Sequence, residues 1–229
     1  MFEAIILAGG KGTRLKEITG DIPKPLVEMN DEPFLYKIIK KLKNFGCERV
    51  VLSLGFNANY IIESIENNID KLQIEIDWIV EKIPLGTGGG IKLASTKVKQ
   101  NSFIALNGDT ITDLNISNFF SYSIKNKYDI CIAATEVNNV GRYGSISFDF
   151  ETNRLIEIQE SFSNISGFIN SGIYFINKKI IDNYDKSIFS FERDFIPKNI
   201  SYCYIYPFKG YFIDIGIPED YRKACLELK

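Results

Sequence analysis

Histidine is absent from all 229 residues. Ser–His–Asp triads, histidine–zinc sites and histidine general bases are excluded with it. Any catalysis has to use carboxylates, lysine, arginine, backbone amides or a hard metal ion. Cysteine is sparse: Cys47, Cys131, Cys203 and Cys225 are the four, and no two form a CxxC pair. Scattered thiols in a chain of this length read as core residues in a reducing compartment. No charge sign is in excess. Lys and Arg number 27 against 29 Asp and Glu, a formal net charge of −2, so nothing global draws the chain to nucleic acid or an anionic membrane. No apolar run approaches a membrane span. The opening MFEAIILAGG has no basic leader and carries Glu3, so it reads as a buried strand and not as a targeting segment. The expectation is a cytoplasmic protein with no nucleic-acid or membrane partner, in which a homo-oligomer is left open.

What is present is an ordinary globular composition, 45% hydrophobic and 24% charged, enough for one substantial core. The first half alternates. Strand-like EAIILA (3–8), RVVLSL (49–54), IEIDWIV (74–80) and SFIALNGD (102–109) are separated by helical patterns in PFLYKIIKKLKNFG (33–46) and ANYIIESIEN (58–67). GGGIKLASTKV (88–98) reads as a loop opening into a helix. That alternation predicts a doubly wound, mainly parallel sheet, with ligands at the carboxyl ends of its strands. The second half is strand-rich, with two short helices expected between 178 and 197 and a last helix starting at Pro218. Several of its strands could be antiparallel and extend the same sheet. The expected fold is thus α/β, a Rossmann-like mixed sheet in one domain spanning 1–229. Its nucleotide-binding half is 1–115 and its ligand-closing half 116–229.

The chemistry concentrates in LAGGKGTR (7–14). Lysine and threonine behind glycines suggest a P-loop, but Walker A needs Gly-Lys followed by Ser or Thr, and Lys11 is followed by Gly12. Reading Gly10-Lys11 as the Gly-Lys pair puts the leading glycine at Ile5, inside the strand. The dinucleotide pattern G-x-G-x-x-G fails at Leu15. A glycine-rich turn after a strand is still an anion cradle, because backbone N–H groups can approach phosphate oxygens; the alternative is a merely tight turn. Arg14 and Lys24 lie on the same long loop, and the PKP triplet restrains the backbone around Lys24. Each could also be an ordinary surface cation.

LAGGKGTRL followed by PKPL resembles the signature of the sugar-1-phosphate nucleotidylyltransferases. EKIPLGTGGGI, LNGD, RYGSISFD, FINSGIYFI and FIDIGIPEDY follow in the family's order. Nearly the whole chain takes part. It is most similar to the short D-glycero-D-manno-heptose 1-phosphate guanylyltransferase branch, with no C-terminal β-helix expected. The resemblance implies attack of a sugar 1-phosphate oxygen on the α-phosphorus of an NTP, GTP in this branch, with release of pyrophosphate. It also implies Mg²⁺. Leu7, Ala8, Gly9, Gly10, Gly12 and Thr13 would then form the cradle. Arg14 would hold the leaving phosphates, and Lys24 would bridge the α-phosphate and the sugar phosphate. Asn107, Gly108 and Asp109 end a strand, where Asp109 would meet Mg²⁺ with Asp214 as second ligand; either Asp alone could equally be a turn or helix cap. Glu81, Gly86, Thr87 and Gly88 would face the base. Gly144, Glu160 and Asn170 would face the sugar. Two positions depart from the family: Ser161 stands where a phosphate-holding lysine is usual, with Arg142, Arg154 or Lys24 as candidate replacements, and Ile83 stands where many relatives have Glu. SYCYIYPFKGYF (201–212) has one lysine and no arginine, so it reads as paired strands and not as a base-stacking platform.

Overall fold

The structure, a computed structural model, describes residues 1–141, 143–159 and 165–228. Its strands are β1 (Phe2–Ala8), β2 (Glu28–Met29), β3 (Glu32–Pro33), β4 (Cys47–Leu54), β5 (Glu75–Val80), β6 (Ser102–Asn107), β7 (Thr110–Thr112), β8 (Ile130–Val137), β9 (Ser145–Phe148), β10 (Leu155–Gln159), β11 (Gly167–Asn177), β12 (Cys203–Phe208) and β13 (Phe212–Asp214). Its helices are α1 (Lys16–Thr19), α2 (Phe34–Asn44), α3 (Ala58–Leu72), α4 (Gly86–Ser95), α5 (Ile116–Lys125), α6 (Lys178–Asp182), α7 (Ile196–Lys198) and α8 (Pro218–Glu227).

Among the described residues one nine-stranded sheet runs through both halves. β1 lies in its middle, parallel to β4 on one side and β6 on the other, and β5 follows β4 in parallel. This is the doubly wound half: β1, β4 and β6 are largely buried, which explains their apolar runs, while the edge strand β5 is only half-buried. The long β11 joins the second half by pairing antiparallel with β6 and β8. β9 and β10 form an antiparallel pair beyond it. β12 lies parallel to β8, so the aromatic-rich segment is indeed a paired strand: Tyr128 and Tyr204 stack at 3.9 Å. Two apolar clusters cover the two faces, one beneath α2 and α3, the other built around Tyr174, Phe191 and Phe195. Three of the four thiols are core groups and Cys225 is half-buried: Cys131 and Cys203 are fully buried, and burial pushes both up to about 12. No described helix is long and apolar enough to cross a membrane.

Three elements depart from the pattern read in the sequence. α4 begins at Gly86, so the glycine run is helical and not a loop. Gly86, Gly88 and Gly89 pack against the segment 187–190, and a Cβ on Gly88 would stand 2.2 Å from the Phe189 ring; tertiary packing overrides the low helix propensity of glycine. GYFIDIG contributes β13, which leaves the main sheet and pairs with β7 in a separate two-stranded ribbon. ISNFFSYSIK forms α5, whose start is marked by Asn115 accepting from the Asn118 amide at 2.9 Å, an N-cap signal legible in the sequence.

At the far end of the sheet Arg49, 6% exposed, donates to Glu75 and Asp77 at 2.7 Å each and to the Lys97 carbonyl. Hydrogen bonds from Lys99 and Arg49 hold the Glu75 carboxyl below its ordinary value. For Asp77, burial pushes the carboxyl up, but Lys97, the Trp78 amide and Arg49 together bring it below the ordinary value. Carboxyls lowered by folding add stability that is complete above their unfolded range, about pH 4, and is lost as pH falls through the folded values. Arg49→Met should therefore cost about 2 kcal/mol at neutral pH. The deficit should shrink toward pH 3, as denaturant titrations at both pH values will measure.

Candidate active site

The loop that follows β1 and the start of α4 enclose a cavity of about 360 Å³ at the carboxyl ends of β1, β5 and β6. Eleven of the residues expected to contact a nucleotide line it: Leu7, Ala8, Gly9, Gly10, Lys24, Glu81, Gly86, Thr87, Asn107, Gly108 and Asp109. Gly12, Thr13, Arg14 and Gly88 are not among its walls. Gly12 sits at φ 61, where a Cβ would be 2.9 Å from Lys24 Cβ. The glycine therefore lets the PKP segment close against the loop. Pro23 and Pro25 are buried on either side of Lys24, and its Nζ lies 2.6 Å from Asp109 Oδ2, with only 11% of the side chain exposed. Lys11 is exposed and lines none of the cavities described here.

Asp109 sits in the turn between β6 and β7. The neighbouring ribbon holds it, because the Ile215 amide donates to its backbone carbonyl at 2.9 Å. Asp214 is opposite Thr110, the residue after Asp109, in the register of that ribbon, so topology brings the two aspartates together from 105 residues apart in sequence. Asp214 also accepts from the Gly216 amide at 2.6 Å. With Arg14 it lines a second cavity of about 520 Å³. Asn107 lines this cavity and the first. A third cavity, about 690 Å³, is lined by Tyr143, Gly144 and Asn170. Asn170 and Glu192 line both the second and the third. The shared walls make one continuous cleft. Two of the three expected sugar contacts, Gly144 and Asn170, are at its far end; Glu160 lies outside the described residues, as do Ser161 and Arg142.

Residues 3–229 match the sequence profile of the nucleotidyl transferase family. The chain belongs to the nucleotidyl transferase family. Among the relatives of this nucleotidyl transferase, a D-glycero-alpha-D-manno-heptose 1-phosphate guanylyltransferase of Campylobacter jejuni is 40% identical, over 96% of each chain. One of the same description from Aneurinibacillus thermoaerophilus is 37% identical over 99% of this chain and 98% of its own. The crystal structure of HddC from Yersinia pseudotuberculosis superposes with a TM-score of 0.91 at 44% identity, covering 100% of both chains; HddC has also been solved in complex with GMP-PN.

Other placements refine the residues read from sequence. Glu81 is engaged by the neighbouring strand and by its own loop: Ser53 Oγ of β4 donates to Oε1 at 3.2 Å and the Leu85 amide to Oε2 at 2.9 Å. Arg154 lies over the Tyr204 ring at 5.4 Å and lines none of the three cavities, so nothing in its placement makes it a replacement for a phosphate-holding lysine. Two residues that sequence reading missed are central. Neither Tyr174 nor Glu192 was singled out in the sequence, and both line the second cavity. Asn170 Nδ2 donates to the Tyr174 hydroxyl at 2.8 Å, and that hydroxyl donates to Glu192 Oε1 at 2.8 Å. No spacing signal could have paired them, since Glu192 sits in a π-helical turn at Phe191–Phe195, a geometry that short patterns do not predict.

Proposed function

We propose that this nucleotidyl transferase moves a guanylyl group from GTP to D-glycero-D-manno-heptose 1-phosphate, forming the GDP-heptose and pyrophosphate. One observation carries the reaction class: the Lys24–Asp109 pair, 2.6 Å apart, lies beside Asn107, whose side walls belong to both the glycine-loop cavity and the next one. A charge-bearing pair at that junction suits a phosphate of each substrate. The base and sugar are supported by the names of the full-length relatives. Within a single nucleotidyltransferase domain, residues 1–115 serve mainly the nucleotide and 116–229 mainly the sugar.

A sugar-phosphate oxygen attacks the α-phosphorus, the new P–O bond forms, and the bond to the β-phosphate oxygen breaks with its electron pair leaving on pyrophosphate. The attacking oxygen belongs to a phosphate that is already largely ionised at neutral pH, so no side-chain base or nucleophile is needed, in keeping with a chain that has no histidine. Catalysis then rests on placement and on neutralising charge. The glycine loop cradles the nucleotide phosphates, Arg14 holds the leaving end, and Lys24 spans the reacting phosphates. Asp109, in the turn before β7, and Asp214, at the end of the paired β13, are hard oxygen donors, a set that fits Mg²⁺ with phosphates and waters completing its shell. When bound there, the ion supplies further neutralisation of the phosphate oxygens.

Glu81 would read the base. Each of its oxygens keeps a second acceptor position beyond the contact it makes with Ser53 or Leu85, so the carboxylate can take the N1–H and 2-amino protons of guanine. Glu81→Gln should then cut the kcat/KM preference for GTP over UTP by about 10–100-fold, the order of a good base contact. The whole reading is tested by pyrophosphate release with each NTP against a panel of sugar 1-phosphates. Turnover confined to GTP and the heptose phosphate supports it. Turnover with UTP or dTTP but not GTP rejects the base assignment, and none with any pair would favour a nucleotide-sugar binding protein without activity.

A further inference from the structure

We propose that Glu192 is a positioning residue that ties the base end of the cleft to its sugar end, one carboxylate oxygen serving each. The inference rests on the reading above, in which α4 starts at the base and Asn170 meets the sugar. Thr87 Oγ1 donates to Glu192 Oε2 at 2.7 Å, and Ser190 Oγ donates to the same oxygen at 3.2 Å. Thr87 in turn accepts from the Phe191 amide at 2.9 Å. The Gly88 and Gly89 amides donate to the Phe189 carbonyl at 3.0 and 3.2 Å, so the first turn of α4 and the 189–192 segment are held as one unit.

The other oxygen takes the Tyr174 hydroxyl, which takes Asn170. Tyr174 is completely buried. Burial and the Glu192 carboxylate beside it keep the phenol protonated, its pKa well above the ordinary value. The hydroxyl therefore remains a donor to Glu192 and an acceptor from Asn170 at once, which orients the Asn170 amide: Nδ2 goes to Tyr174, and Oδ1 accepts from the Gly172 amide at 2.9 Å. Three hydrogen bonds connect Thr87, 105 residues from Glu192 in sequence, through Glu192 and Tyr174 to Asn170. A carboxylate suits the central place, because it accepts on both sides without needing a proton of its own.

Steady-state constants of four variants test this, measured with whichever NTP and sugar phosphate the wild type turns over. A wrong base or sugar assignment then fails in the wild type and leaves the variant ratios readable. Tyr174→Phe should raise the sugar-phosphate KM about tenfold and leave the NTP KM within about twofold. Thr87→Val should do the reverse. Glu192→Ala should raise both, and Glu192→Gln, which keeps the reach but only one acceptor oxygen, should recover one of the two losses and not the other. If Glu192→Ala lowers kcat and the thermal midpoint with both KM values unchanged, Glu192 is only a structural brace and the proposal falls. It falls equally if only one KM moves. Should Glu192→Ala not fold, equal KM shifts for both substrates in Tyr174→Phe and in Thr87→Val would overturn it alone.

Discussion

Lys24→Ala is expected to lower kcat/KM about a thousandfold in a protein that stays folded. Its ammonium is fixed by its surroundings. Gly12 allows the close approach of the loop, buried prolines flank it, and Asp109 holds Nζ at 2.6 Å. A cation placed in advance where charge develops contributes far more than a mobile one, and removing one such donor costs about 10²–10³ in rate. Loss of phosphate binding in the ground state adds to that. Lys11→Ala, by contrast, should stay within about twofold, because Lys11 is exposed and lines no described cavity of the cleft. A kinase-type P-loop predicts the opposite order. Pyrophosphate release by the two variants, with circular dichroism to verify folding, separates them.

Asp109→Asn should be the second severe loss, about a thousandfold or more in kcat. The amide has the size of the carboxylate, and the backbone contact to Ile215 does not depend on the charge, so the turn between β6 and β7 should survive. What disappears is a negative oxygen donor one residue before the register partner of Asp214. One carboxylate is then left for a divalent ion. The same variant should bind Mn²⁺ in the presence of nucleotide at least about tenfold more weakly, a shift of about 1.4 kcal/mol, as read by electron paramagnetic resonance. Unchanged Mn²⁺ affinity would place the ion elsewhere.

The parts of the molecule that were legible in the sequence are those governed by local rules. The apolar run of β1, the helical spacing in α2 and the Pro218 start of α8 each carry their own signal, and each is found where that signal puts it. Asp109 was legible for the same reason: NGD closes a strand, and strand ends in such sheets face ligands. Asp214 was not legible on physical grounds alone, since its partnership with Asp109 depends on a ribbon formed across 105 residues. Only the likeness to a family pointed to it. The glycines of α4 were misread as a loop because their demand comes from Phe189 and Ser187, a hundred residues away. Glu192 and Tyr174 were missed because a hydrogen-bond chain through a buried phenol has no sequence period.

The most direct measurement of the central reaction follows an oxygen label. GTP and heptose 1-phosphate carrying ¹⁸O in its phosphate are incubated with the enzyme, and the products are read by ³¹P NMR. Guanylyl transfer predicts unlabelled pyrophosphate and a GDP-heptose whose sugar-side phosphorus retains the label, including the oxygen that bridges to the α-phosphorus. Formation of GDP with a bisphosphorylated sugar, or of pyrophosphate containing ¹⁸O, would contradict it.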